Sequence, residues 1–259
     1  MTIGSILQAG VRVAVIVGAL SGCAGNANPA AQAISESVQR AAAAAESEGD
    51  YAGAANHYRN LVGRQPDDIG ATLGLARNLR YAGHAKQAVE LLDDATSKFE
   101  ARAPFVVERG KANLALGNVQ EAIGFLAKAR AMDEQNWEIH AALGIAYDLT
   151  DAFAKARDSY SRALQLSKDN PVVLNNMAIS AALAGDVERA IATLENAPAA
   201  RHSPQIRQNL ALFYGIKGDV EKAEALAKMD LDDASVRNNL AVFSRLRAIA
   251  PAPPAPRPR

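Results

Sequence analysis

The chain has 259 residues, with 28 Lys and Arg against 28 Asp and Glu, 49% hydrophobic residues, only 5% aromatic ones and a single cysteine. Balanced charge removes the electrostatic ground for nucleic-acid binding, and one cysteine without any HxxxH pair excludes the common zinc-site spacings. A half-apolar composition carried by alanine instead of large rings suits helices packed at close range.

In chain order, the first element is a short apolar run from Val11 to Leu20, interrupted by Arg12. A mature membrane-spanning helix needs about 20 apolar residues, so residues 1–22 read instead as a signal peptide. The run closes in Leu20-Ser21-Gly22-Cys23, which resembles a bacterial lipobox. That resemblance implies cleavage before Cys23, a diacylglycerol on its sulfur, acylation of the new amino terminus and firm attachment to a membrane through these acyl chains. Ala24 stands where an Asp would, by resemblance to enterobacterial lipoproteins, keep the product in the inner membrane; the implied address is the periplasmic face of the outer membrane. Removing residues 1–22 takes away only Arg12 among charged residues, so the mature chain stays close to neutral. Residues 23–33 are small, polar and Pro-containing and read as a flexible tether.

From residue 34 onward the chain repeats itself. Gly49, Gly83, Gly117, Asp151, Gly185 and Gly218 recur about every 34 residues, and each is followed at fixed offsets by a small residue, a bulky one and another small or apolar one. The sets are Ala54, Tyr58 and Leu61; Ala88, Leu92 and Ala95; Ala122, Leu126 and Ala129; Ala156, Tyr160 and Ala163; Ala190, Leu194 and Ala197; and Ala223 with Ala227. Small residues belong where two helices cross closely, and the bulky residue fills the wider space one turn on. The turn position wants a residue that accepts left-handed backbone, which Gly does freely and Asp at modest cost. The helix before each turn carries the matching half, clearest at Leu143-Gly144 with Tyr147 and weakest in the third unit, where only Gly110 fits. Val172-Val173-Leu174 follows Pro171 at a helix start and stays in the repeat phase, so it is not a strand. The pattern is that of a tetratricopeptide array: an all-α solenoid of about six helix-turn-helix repeats over residues 34–249. Pro66 alone occupies the proline position that usually closes a unit.

The last predicted helix, about Ser235 to Ile249, has Leu240, Val242, Phe243 and Leu246 on an apolar side and should cap the solenoid's final hydrophobic face. Residues 250–259 alternate Ala, Pro and Arg without apolar periodicity and read as a disordered tail.

No chemistry-bearing constellation emerges. His57, His84, His140 and His202 fall in different repeats at different repeat positions, Ser203-Pro204 and Asp232-Asp233 suit helix caps, and the glycines end helices without forming a phosphate loop. The expectation is a non-enzyme without cofactor or metal. Binding is the better reading, because the first helices of successive repeats line a groove. Asn175-Asn176, Gln208-Asn209 and Asn238-Asn239 recur at nearly one place, and amides can both donate to and accept from an extended backbone. The candidate partner-binding residues are Asn175, Asn176, Gln208 and Asn209, with Arg207 and Arg237 placed to hold a carboxylate. Trp137, the sole tryptophan, is expected mainly to pack at the joint between the third and fourth units.

The lipobox, the Pro/Ala-containing tether and six repeats closing in a short helix together resemble the TadD family of tight-adherence (Flp) pilus assembly lipoproteins. The resemblance is most specific in Ala142-Leu-Gly-Ile-Ala-Tyr-Asp148, Asn175-Asn-Met-Ala-Ile-Ser-Ala181, Pro204-Gln-Ile-Arg-Gln-Asn-Leu-Ala-Leu212 and Val236-Arg-Asn-Asn-Leu-Ala241, and it covers roughly residues 35–249. It implies an outer-membrane assembly factor, a pilotin, whose partner is the pilus secretin or another pilus component. A general envelope scaffold that recruits peptidoglycan enzymes or other lipoproteins is the alternative, and a hydrolase subunit the third reading.

Overall fold

The chain turns where its backbone can become left-handed. Gly49, Gly83, Gly117, Gly185 and Gly218 have φ between 76° and 99°, and Asp151 joins them at 55°. After each turn the next amide folds back onto a carbonyl in the helix just ended, as His84 N does to Leu79 O at 2.8 Å and Ala152 N to Tyr147 O at 2.9 Å. These bonds satisfy helix-end carbonyls that would otherwise lack partners.

The computed structural model describes residues 29–198 and 203–249, which form helices without any strand. Six helix pairs follow one another: α1 (Pro29–Ser47) with α2 (Tyr51–Arg64); α3 (Ile69–Tyr81) with α4 (Ala85–Asp94) and its short continuation α5 (Thr96–Phe99); α6 (Ala103–Leu116) with α7 (Val119–Met132); α8 (Trp137–Asp148) with α9 (Phe153–Leu166); α10 (Pro171–Leu183) with α11 (Val187–Glu195); and α12 (Pro204–Lys217) with α13 (Val220–Ala227). Helix α14 (Asp233–Ile249) closes the array. This is the expected all-α repeat solenoid with a capping helix. The first helix begins at Pro29, so residues 29–33, expected in the tether, belong to the array. The signal peptide, Cys23 with the rest of the tether, and the tail 250–259 lie outside the described residues.

Helix starts are periodic as well. Asp68, Asn136 and Asn170 stand at one repeat position, and their side-chain oxygens accept from the first amides of α3, α8 and α10. Arg102 holds that position before α6 and provides no side-chain cap. Pro66 has no later counterpart, yet α2, α7 and α9 end alike at Gln65, Asp133 and Ser167, each bonding its amide to the carbonyl four residues back. Non-helical backbone at these residues, with φ near −140° and ψ near 80°, stops the helix where proline would.

Packing explains the rest of the pattern. Ala54, Ala88, Ala122, Ala156, Ala190 and Ala223 are all 0% exposed, one at each crossing of a helix pair. A Cβ added at Gly144 would lie 2.5 Å from the Tyr160 ring, and one at Gly110 would lie 2.6 Å from Leu126 Cγ. In the weakly patterned third unit other contacts compensate. Arg109 spans to Asp93 at 2.5 Å and its guanidinium lies 4.2 Å from the Phe125 ring centroid, while the Phe99 and Phe105 rings meet tilted by 55° with centroids 5.7 Å apart. At the closing end, α14 buries Val236 and Phe243 against α12, with Leu240 partly buried between them. These residues lie at i, i+4 and i+7 on one face; Val242, expected to share it, is rotated by about 100° per residue and is 47% exposed.

The first helices also touch one another: α3 packs on α6, α6 on α8, α8 on α10, α10 on α12 and α12 on α14. Among the described residues no two second helices pack comparably, which places the first helices on the inner, concave side of the curve.

Gly144→Ala should destabilise the fold by about 1–3 kcal/mol through overpacking against Tyr160, read as a shift in the denaturation midpoint. Asp151→Gly should stabilise it by up to about 1 kcal/mol by removing left-handed strain, while Gly117→Ala costs about that much; equal and opposite midpoints for the latter pair would confirm that turn backbone, not side-chain contact, sets these positions.

Candidate binding groove

On the concave side a groove of about 500 Å³ crosses the first helices of repeats two to five. Its lining comes from α3 (Arg80, Tyr81), α6 (Lys111, Leu114, Ala115), α8 (Trp137, Glu138, Ala141, Ala142, Ile145), the following Leu149, and α10 (Val172, Asn176). Large apolar side chains stand open to solvent here, with Tyr81 53%, Leu149 57% and Val172 56% exposed. Apolar residues at such exposure are uncovered by the fold itself and favour a partner that removes them from water. Trp137 both packs on the cluster around Tyr160 and lines the groove, so packing and lining coincide in one side chain.

Charged groups beside the groove are paired between successive first helices. Glu46 of α1 meets Arg77 of α3 at 2.7 Å, Arg80 of α3 meets Glu108 of α6 at 3.1 Å, and Lys111 of α6 meets Glu138 of α8. Three cations and three carboxylates thus cancel, leaving a groove without net charge. Further along, the links are no longer ion pairs: Ser180 of α10 donates to Asp148 of α8 at 2.6 Å, and Asn209 of α12 donates to Asn175 of α10 at 2.5 Å.

Two of these links occupy equivalent repeat positions with opposite electrostatics. Glu46 lies near Tyr58 and accepts from Asn78 at 2.5 Å; three repeats later Asp148 accepts from Tyr160 at 2.8 Å and from Ser180. Burial tends to raise the Glu46 pKa, but hydrogen bonds from Asn78 and Arg77 and the guanidinium's charge outweigh it and hold the carboxyl below its ordinary value. At Asp148 burial prevails over the Ser180 and Tyr160 hydrogen bonds and raises the pKa above 3.8. The Arg77 charge that helps to hold Glu46 down has no counterpart at Asp148, because Ile179 occupies that place and Ser180 replaces Asn78. Burial, then the charge and hydrogen bond of Asp148, also raise the Tyr160 hydroxyl. At the far end burial and Glu195 push Tyr214 up to about 12.

The six partner-binding candidates do not converge. Asn176 faces the groove. Asn175 is 5% exposed and joins Asn209 across the interface of repeats five and six, a structural amide pair instead of a ladder for a partner. Arg207 does hold a carboxylate, but it is this chain's Asp230: Nε donates to Oδ2 at 2.9 Å and Nη2 to Oδ1, with Gln208 donating to the same group at 3.1 Å. This guanidinium fork holds Asp230 below the usual carboxylate range. Arg237 is exposed on α14, beyond the groove. The amides repeat because neighbouring helices need linking, so their spacing alone does not distinguish linking from reading. The sequence reading missed the column Tyr81, Ala115, Leu149, one residue every 34 and two before each turn; its period was the available signal.

His140 Nε2 lies 2.9 Å from the Glu134 carbonyl, His57 and His84 sit elsewhere in the array, and His202 is outside the described residues. Among the described residues no group of three or more His, Cys, Asp or Glu could hold a metal, and no helix is long and apolar enough to cross a membrane.

A raised carboxyl pKa means that the folded state prefers the proton. The Asp148 contribution is therefore full below pH 3.8 and is lost as pH rises through the higher folded value. Asp148→Asn, whose amide oxygen accepts from one hydroxyl while its Nδ2 donates to the other, should flatten this part of the stability profile and leave the protein at least as stable at pH 7; urea midpoints measured from pH 3.5 to 7 check it.

A tetratricopeptide repeat family model matches residues 45–103 and 150–212. No curated protein matches the sequence. Among solved structures, TTC0263, a thermophilic tetratricopeptide protein of Thermus thermophilus, is 21% identical with a TM-score of 0.59, over 66% of this chain and 96% of that one. PilW, a widely conserved type IV pilus biogenesis factor, is 18% identical with a TM-score of 0.63, over 83% and 98%. PilF of Pseudomonas aeruginosa is 16% identical with a TM-score of 0.55, over 85% and 93%. At these identities the likeness is one of fold. Taken with the six left-handed turns and the alanine at every crossing, it shows that this chain has the all-α tetratricopeptide-repeat fold.

Proposed function

We propose that the protein is a non-enzymatic adaptor that holds a largely uncharged segment of a partner protein in the concave groove. The observation that carries this reading is the exposed apolar lining at Tyr81, Leu149 and Val172 within a surface whose charges are already paired. A charged segment would have to break those pairs, whereas an apolar or backbone-rich one gains burial without that cost. The lining contains no nucleophile beside a base, and its polar residue without a charge, Asn176, suits backbone recognition.

The finer assignment is to Flp pilus assembly, with the secretin or another pilus component as partner and an acyl anchor at Cys23 holding the protein on the periplasmic face of the outer membrane. It rests on the lipobox and on the segments 142–148, 175–181, 204–212 and 236–241 that resemble the TadD family. PilW lends the fold, and its own role in pilus biogenesis makes such a use of the fold familiar.

Crosslinking in the native envelope, followed by purification and mass spectrometry, should recover a secretin with other pilus proteins; peptidoglycan enzymes without them would assign the chain to a general envelope scaffold. Val172→Asp should abolish partner capture with helicity and melting unchanged. Asn209→Ala should instead lower stability by about 1–2 kcal/mol, because it leaves Asn175 buried and short of a donor. Cys23→Ala should move the protein from the membrane fraction to the soluble one, and retention there would defeat the anchor.

A further inference from the structure

Each turn of the array is flanked by two positions that vary together, one four residues before it and one four residues after. In the fourth unit these are Tyr147 and Lys155, and Lys155 Nζ lies 5.7 Å from the Tyr147 ring centroid. In the sixth, Tyr214 and Lys222 repeat the arrangement at 4.7 Å, while Lys222 also reaches the helix-capping Asp219 at 3.6 Å. The first three units have neither ring nor cation: Ala45 with Gly53, Leu79 with Gln87, and Asn113 with Glu121. The fifth unit alone has half of the pair. Arg189 is its cation and meets the capping Asp186 at 3.2 Å, much as Lys222 meets Asp219, but Ala181 stands where the ring belongs.

A cleft of about 240 Å³ remains beside Ala181. It lies between the second helices α9 and α11 and shares no lining residue with the concave groove. Phe153 and Arg157 of α9, Met177 and Ala181 of α10, and Arg189 of α11 wall it. Arg157 is a second departure from the repeat at this place. Val89, Ile123 and Ile191 hold the equivalent position in the second, third and fifth units and are partly or fully buried, whereas Arg157 is exposed and has no carboxylate partner among the described residues. Two guanidiniums, a thioether and a phenyl ring are each groups that attract an aromatic ring. A cavity of about 150 Å³ admits benzene, so the space suffices for a phenyl or phenol ring.

We infer that this cleft receives an aromatic side chain of a partner protein, which supplies from outside the ring that the fifth unit lacks, and that Arg157 pairs with a carboxylate beside that ring. An aliphatic side chain would fill the volume but forgo the cation and sulfur contacts, so the walls select aromatic over aliphatic. Asp186 does not compete for the Arg189 face, since the sixth unit shows a cation meeting its capping aspartate and a ring together. The cleft is a docking point separate from the groove, and it stands whether or not the groove holds the segment proposed above.

The probe is N-acetyltyrosine, which carries a ring and a carboxylate, titrated into the full chain with isotope-labelled methionine methyl groups. The Met177 methyl resonance should move by ring-current shift and saturate in the millimolar range, while Met132 and Met229, which do not line the cleft, stay in place. N-acetylleucine, with the carboxylate and no ring, should bind roughly five-fold more weakly, and Arg189→Gln should weaken N-acetyltyrosine by about the same factor. Arg157→Gln should remove the preference for N-acetyltyrosine over its amide. Ala181→Tyr builds the ring of the fourth and sixth units into the fifth, and should abolish binding while melting no lower than the parent. Should that variant unfold, Arg189→Gln carries the test, because its side chain is 49% exposed. A Met177 resonance that moves no more than those of Met132 and Met229, a leucine analogue that binds as tightly, a folded Ala181→Tyr that still binds, or an Arg189→Gln that binds like the parent would each overturn the inference. Val172→Asp spoils the groove and should leave N-acetyltyrosine binding intact, so the two sites fail separately.

Discussion

Close approach of two helices at an alanine is the constraint on which the rest of this structure depends. At every repeat an alanine without exposed surface lets the second helix settle against the first, and the bulky residue one turn on, such as Tyr58, Leu92, Leu126, Tyr160 or Leu194, fills the space that opens beyond it. Once that distance is fixed, the turn before it must be short, which forces left-handed backbone at six positions. The distance also leaves the first helices within reach of one another, and the concave face follows from that contact.

That face solves a problem peculiar to open arrays. Successive first helices must be held in register without covering the surface between them, and polar links along their sides do this at little expense of apolar area. Arg80 with Glu108 is the most enclosed of the ion pairs along the groove, its side chains 14% and 9% exposed. Enclosed pairs gain little net stability but penalise any register that separates them. Mutual pairing serves the groove too, since the charges that align the helices are unavailable to a ligand and the surface between them stays apolar.

The fold was legible in the sequence because its signals recur. One Gly-turn means little, but a turn, an alanine and a bulky residue in phase at Gly49, Gly83 and Gly117 report the same packing three times, and Asp151 could be read through its neighbours. The groove was less legible. Asn175 and Asn209 recur with the same period as Tyr81 and Leu149, yet the first pair links helices while the second faces solvent. A period tells which residues share a position on successive repeats; whether that position meets a neighbour or water depends on the angle between helices, which no single residue encodes. Arg207 shows the same limit differently, since its partner Asp230 lies 23 residues away across a helix pair, outside any motif.

Nearly all helix contacts in this molecule join an element to the next or to the next but one. Chain separations between partners therefore stay near one repeat length, so the loop-closure cost of assembling the core does not accumulate along the chain. Each new pair of helices meets a docking face already built by the pair before it. The protein can accordingly acquire structure from its amino terminus onward as it emerges, residue by residue, from a ribosome, with only the newest face exposed at any moment.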